Sequence, residues 1–239
     1  MRFACLLLPL TALTMVASET REQVIAERAE SHAKNPERYQ PVPDDPALPR
    51  VLLIGDSITH GYSPAVRTAL KGMANVHLIP DNGGPTDRGL LMLDEWLGLR
   101  RWDLIHFNFG LHDIKLRDDA QIRNTPETYR RNLHALARRL HATGARLVFA
   151  TSTPVPGTLK KSGPRRRTAD MIAYNAIARE VMEEEAIPLN DLYALALPRV
   201  EELQLPSDVH FSDNGYRALG TAVAESIRAQ LAAQPARSP

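Results

Sequence analysis

Short blocks of branched apolar residues recur along this chain, separated by longer stretches whose apolar positions follow helical spacing. Val51-Leu52-Leu53-Ile54 is the first block. It is apolar at every position, the pattern of a strand covered on both faces. Val76-His77-Leu78-Ile79, stopped by Pro80, predicts a second strand, and Asp103 to Phe109, closed by Gly110, predicts a third. Arg146 to Thr151 predicts a fourth and Pro188 to Asn190 a short fifth. Helices are expected over 64–72, 90–99, 126–142, 169–186 and 192–204, and from Ser212 to Ala233. Thr125 is placed to cap the helix at 126 and Gly144 to stop it, while Ser212 is placed to cap the last one. Strands alternating with helices predict a parallel, doubly wound α/β sheet.

The flanks carry a different pattern. Arg2, the almost wholly apolar run from Phe3 to Val16, and the small residues Ala17 and Ser18 predict a secretory signal over residues 1–18. The run is short for a bilayer span, so the expectation is an exported protein, periplasmic or extracellular, with no membrane anchor after cleavage. Cys5 is the only cysteine and lies inside that run. The mature chain would then hold neither disulfide nor thiol nucleophile, which fits a bacterial periplasm or surface. Residues 19–34 are charged and Ala-rich and predict a short amphipathic helix. Pro36, Pro41, Pro43, Pro46 and Pro49 then predict an extended arm or linker, so residues 19–49 precede a domain at 50–233, with a frayed tail at 234–239. About 220 mature residues suit one domain with a sizeable core. The formal net charge is +1 and approaches zero once Arg2 is removed, which gives no reason to expect nucleic acid as a partner.

Candidate chemistry begins where the first strand ends. Gly55 breaks the strand, and Asp56 and Ser57 follow. Ligands of an open parallel sheet sit beyond the carboxyl ends of its strands, which is where this sequence puts Ser57. A hydroxyl there can be a nucleophile if a base takes its proton; it can equally cap a helix or close a turn. Asp56 beside it suits bonding the turn's own backbone. His210, in the loop before the last helix, is a candidate base near neutral pH. With eight histidines in the chain, residue type alone does not single it out.

Gly55-Asp56-Ser57-Ile58-Thr59-His60-Gly61-Tyr62, the glycine loop at 81–86, Gly110-Leu111-His112-Asp113 and Asp208-Val209-His210 together resemble the four blocks of the SGNH (GDSL) hydrolase family, from Arg50 to Ala233. The resemblance implies an esterase or lipase-like hydrolase on a flavodoxin-like, three-layer α/β/α sandwich with a parallel five-stranded sheet, and no metal or organic cofactor. It implies Ser57 as nucleophile and His210 as base. Oxyanion donors would come from the N–H groups of Ser57 and of the second-block glycine. Gly84, in Gly84-Pro85-Thr86, matches that glycine, with Gly83 as the alternative.

Two positions depart from the family's pattern. The third block brings His112 where the family has an asparagine donor; an imidazole N–H can take that role. Asn108, earlier on the same strand, is an alternative donor, or else a buried amide tying loops together, and Asp113 is placed to hold His112 or its own loop. The family's aspartate stands three residues before the base, where this chain has Ser207; Asp208 is only two before it. Asp208 is the expected orienter of His210; the alternative is a backbone carbonyl, leaving a Ser-His dyad.

Lys160, Lys161, Arg165, Arg166 and Arg167 form a basic loop that reads as a solvated surface or as a contact for an anionic substrate at the rim. Trp96 and Trp102 flank apolar runs and are expected in the core, and Tyr174 and Asn175 are expected to be structural. The expected substrate is a small-molecule or glycan ester with a short acyl group, such as an O-acetyl. The rival reading is a weak or inactive carbohydrate-binding protein on the same fold, favoured by the altered blocks and opposed by retention of Ser57 and His210. A nucleotide binder is weaker still, for no phosphate-binding glycine fingerprint opens a helix.

Overall fold

The computed structural model of the protein describes residues 19–34, 36–39, 43–159 and 163–233. The stretch read as a signal, residues 1–18, and the tail 234–239 lie outside the described residues. Helix α1 (Arg21–Lys34) comes first, as its composition suggests, and a short 3-10 turn at Pro36–Tyr39 interrupts the proline-rich arm. The alternating units follow as β1 (Arg50–Ile54), α2 (Ser57–Ala69), β2 (Asn75–Leu78), α3 (Thr86–Leu97), β3 (Leu104–Phe107), α4 (Pro126–His141), β4 (Arg146–Ala150), α5 (Thr168–Glu184) and β5 (Leu189–Asn190). The chain closes with α6 (Leu192–Ala196), α7 (Val200–Leu203) and α8 (Asp213–Ala232). Among the described residues no helix is long and apolar enough to cross a membrane.

The five strands are all parallel, in the order β2-β1-β3-β4-β5. This is the flavodoxin-like winding. From β1 the chain steps outward to β2 and then crosses back to β3, so right-handed crossovers put α2 on one face and α3, α4 and α5 on the other. Accordingly α3, α4 and α5 pack in a row, and α8 returns to pack on α2. Sandwiched between the helix layers, Val51, Leu52, Leu53 and Ile54 are almost fully buried. That explains why β1 is apolar throughout rather than alternating.

Three helices differ from the sequence expectation, each for a local reason. Helix α2 begins at Ser57 rather than 64 because Asp56 caps it, which leaves Pro64 inside the helix. Proline removes the N–H that the His60 carbonyl would receive, and the Ser63 hydroxyl donates to that oxygen instead at 3.0 Å. Helix α3 starts at Thr86, earlier than 90. The expected helix at 192–204 is cut into α6, a 3-10 turn at Leu197–Arg199 and α7 around Pro198.

Candidate active site

The turn after β1 fixes Ser57. Asp56 stands at the N-cap of α2 in an extended conformation, and its Oδ1 accepts the Ile58 N–H at 2.9 Å. Ser57 is therefore the first residue of the helix, and its N–H has no intrahelical acceptor. Burial raises the Asp56 carboxyl above its ordinary value, against the pull of the Ile58 N–H.

The histidine arrives from the far end of the chain. Helix α8 lies close on α2 because Gly61 has no side chain; a Cβ there would fall 2.1 Å from the Tyr216 ring. Just before α8, the Leu205 N–H donates to the His210 carbonyl and the Ser212 N–H to the Leu203 carbonyl, which pinches 205–210 into a tight loop. Ser207 takes a left-handed φ of 56° there. Asp208 then folds back on the residue two ahead: its Oδ1 accepts the His210 backbone N–H at 3.1 Å and lies 2.7 Å from His210 Nδ1. His210 Nε2 is 2.9 Å from Ser57 Oγ. The structure thus brings Ser57, His210 and Asp208 into one hydrogen-bonded line, with the position three before the histidine taken up by the turn.

The loop after β2 is bound to the β1 turn. The Gly83 N–H donates to the Gly55 carbonyl at 2.9 Å, and a Cβ on Gly83 would sit 2.7 Å from that oxygen. Gly84, expected to offer its N–H to an oxyanion, donates it instead to Asn82 Oδ1 at 3.0 Å. The cause is the Asx-turn, in which a side-chain oxygen captures the N–H two residues on. It is Asn82 that lines the cavity beside Ser57. The sequence reading passed over Asn82, although Asn-Gly is a turn signal that marks it.

The loop after β3 holds three candidates. Asp113 is fully buried and accepts from Thr86 N at 3.0 Å, Thr86 Oγ1 at 2.6 Å and Asn124 Nδ2 at 2.7 Å, locking the start of α3 to this loop. Burial pushes its carboxyl up to about 6. Asn108 donates its amide to the Ala150 carbonyl at 2.8 Å and to Ser152 Oγ at 3.3 Å. Those contacts fit the reading of Asn108 as a buried amide tying loops together rather than as the alternative donor. His112 does reach the cavity. Burial, with the Lys115 and Arg166 cations beside it, holds its ring well below the usual histidine range, and hence neutral. Lys115 Nζ lies 3.0 Å from His112 Nδ1. An ammonium only donates, so Nδ1 accepts and Nε2 carries the proton. That Nε2–H faces the site, 3.8 Å from Asp56 Oδ2.

Trp96 is buried and donates to Asp81 Oδ2 at 2.5 Å, and the Arg50 guanidinium stacks 4.1 Å over the partly buried Trp102. Asn175 bonds both Ser152 backbone groups. Tyr174 is buried and donates to the Asn124 carbonyl. A cavity of about 220 Å³ opens over the Ser57–His210 pair, walled by Asn82, His112, Lys115 and Arg166.

The fold is thus a doubly wound α/β sheet, with a serine, a histidine and an aspartate hydrogen-bonded in line at the carboxyl end of its first strand. The family model of the GDSL-like lipase/acylhydrolases matches residues 53–218, and the chain belongs to that family as an ester-bond hydrolase. Several solved structures share its fold. An acetyl xylan esterase, AlAXEase, is 18% identical, with a TM-score of 0.64 over 74% of this chain and 99% of its own. A lipase/acylhydrolase from Enterococcus faecalis is 23% identical, with a TM-score of 0.64 over 76% and 96% of the two chains. Axe2, an acetylxylan esterase from Geobacillus stearothermophilus, is 17% identical, with a TM-score of 0.61 over 75% and 94%. No curated protein matches the chain.

Proposed function

We propose that the protein hydrolyses short-acyl carboxylic esters through a covalent Ser57 intermediate. The observation that carries this is the line from Ser57 Oγ through His210 to Asp208, with contacts of 2.9 and 2.7 Å, opening on a cavity. Ser57 Oγ attacks the ester carbonyl as His210 Nε2 takes its proton. Asp208 holds the Nδ1–H and stabilises the imidazolium. The oxyanion receives the Ser57 N–H, free at the helix start, and the His112 Nε2–H. His210 returns the proton to the leaving alcohol, then activates the water that releases the acyl group from Ser57.

Two neighbours are named acetyl xylan esterases, which favours an O-acetyl group on a glycan as the natural ester. The basic and apolar start of the sequence favours export, with the reaction in the periplasm or outside the cell. The test is hydrolysis of a short-chain aryl acetate by the mature protein beside Ser57→Ala, with fluorophosphonate labelling of both. Turnover and labelling that disappear in the variant are expected. Turnover that survives it rules out Ser57 as the nucleophile, and an unlabelled, inactive wild type turns the reading towards a carbohydrate-binding protein.

A further inference from the structure

The cavity over Ser57 holds two cations, Arg166 and Lys115, whose charge no step of the proposed reaction requires. Lys115 Nζ has His112 Nδ1 as its one hydrogen-bond partner among the described residues. Arg166 donates its Nε to the Leu111 carbonyl at 2.6 Å, which turns the guanidinium into the cavity, and its Nη atoms meet no acceptor among the described residues. Neither cation has a carboxylate within ion-pair distance among those residues. The cavity's two acids are engaged elsewhere: Asp208 on His210, and Asp56 on the Ile58 N–H.

The neighbouring arginines of the basic loop behave differently. Arg165 donates to the Arg117 carbonyl at 3.1 Å, and Arg167 pairs with Asp170 at 2.6 Å; both are exposed. Lys160 and Lys161 lie outside the described residues. Of the described loop cations, Arg166 alone joins Lys115 at the nucleophile. Sequestering a cation without a counter-charge is unfavourable, and an arriving anion supplies one.

Resting on the esterase reading, we infer that this cavity selects esters bearing an anionic group, a carboxylate or its equivalent, which Arg166 and Lys115 receive beside the scissile bond. Arg166 offers its planar fork of donors and Lys115 a point charge. Burial, with the Arg166 guanidinium second, draws the Lys115 ammonium down to about 8, and Asp56 only partly offsets this. Burial also lowers Arg166, against Asp56 and Asp208. Both cations would be better satisfied with an anion between them.

The test compares matched esters. One pair is the acetyl ester of 4-hydroxybenzoate and that of its methyl ester, with the charge on the alcohol side. The other is mono-4-nitrophenyl succinate and 4-nitrophenyl butanoate, with the charge on the acyl side. In the wild type, one pair is expected to favour the charged ester in kcat/KM by about tenfold or more, mainly through KM. That preference is expected to fall with added salt. The readout is the change in each charged-to-neutral ratio in Arg166→Gln and Lys115→Met, which cancels the intrinsic reactivity of the esters and any general loss of rate. Ratios that the variants leave unmoved overturn the inference, while Ser57-dependent turnover of the neutral esters still upholds the esterase reading. If no ester turns over, calorimetry on Ser57→Ala with 4-hydroxybenzoate and its methyl ester decides the point. Binding of the acid alone, lost in Arg166→Gln, supports the anion site, and equal or absent binding of the two overturns it.

Discussion

Changing Asp208 to asparagine isolates what its charge does. Asp208 Oδ1 accepts the His210 backbone N–H and faces Nδ1. An asparagine in the same rotamer keeps that oxygen, so the loop from 205 to 210 should keep its shape and the unfolding midpoint should not move. What disappears is a negative charge next to the imidazolium that forms as Ser57 is deprotonated. Two unit charges about 4 Å apart are worth about 4 kcal/mol at an effective dielectric of about 20. The His210 side chain is 41% exposed, so screening by solvent lowers this figure, to about 3 kcal/mol. That alone is about 10²-fold in rate. The asparagine amide can also turn its NH2 towards Nδ1 and favour the wrong tautomer, which in a serine protease triad brings the cost to about 10⁴-fold. Asp208→Asn should therefore lose between about 10²- and 10⁴-fold in kcat on an aryl acetate, with KM little changed. A loss below about tenfold in a folded variant would refute the triad and leave a dyad in which the carboxylate only shapes the loop.

Three other outcomes follow from the same geometry. His112→Ala should lose about 10²-fold in turnover and His112→Asn should recover much of it, since a neutral ring offers the oxyanion an N–H and no charge; equal losses in steady-state kinetics would remove that role. Ala186 sits exposed at φ 52° just past α5, where the Ile187 N–H reaches the Met182 carbonyl at 2.8 Å. Ala186→Gly should raise stability by about 1 kcal/mol in urea unfolding, and a lower midpoint would contradict the assignment of strain there. His106 is fully buried against Asn190 and burial pulls its ring down to about 4, below the 6.5 of an unfolded chain. The unfolded state then binds the extra proton first, so His106 contributes up to about 3 kcal/mol that is present above pH 6.5 and lost as pH falls towards 4. Asp113, raised to about 6, gives the opposite slope below pH 6. His106→Gln should therefore flatten the loss on acidification, and an unchanged urea midpoint series from pH 7 to 4 would place the acid sensitivity elsewhere.

The fold was legible because each strand is short, apolar and bounded by glycine, proline or a cap. Thr125 and Ser212 cap α4 and α8 as their positions suggest, accepting from Thr128 N and Gly215 N. The start of α2 was harder to read, since a proline usually opens a helix and Pro64 drew the boundary seven residues too late. Nothing in a hydrophobic pattern records that Ser63 can satisfy the carbonyl that Pro64 leaves open. Ser57 and His210 could be paired from the motif blocks. Asp208 could be preferred over a backbone carbonyl from its position alone, but its contact with the ring depends on the left-handed turn at Ser207, which no residue pattern announces. The partner of the Gly84 N–H was equally hard to read: its conformation suits an oxyanion donor, yet in the structure that N–H is held by Asn82, two residues away.

His112 stands where the family resemblance implies an asparagine, and a histidine there has a physical cost that explains its neighbours. An asparagine amide donates at any pH, whereas an imidazole can change its charge and choose between two tautomers. Burial and the adjacent Lys115 and Arg166 cations keep the His112 ring neutral, which removes the first difficulty. Lys115, donating to Nδ1 at 3.0 Å, leaves the proton on Nε2 and removes the second. A histidine alone at this place would be an unreliable donor; a histidine with a lysine three residues later is a fixed one. The same lysine is part of the inferred anion site, so the two roles are linked. An anion bound between Lys115 and Arg166 would weaken the repulsion that keeps His112 neutral and raise its pKa. Lys115, still donating to Nδ1, keeps the proton on Nε2, so the donor stays in place when a charged substrate binds.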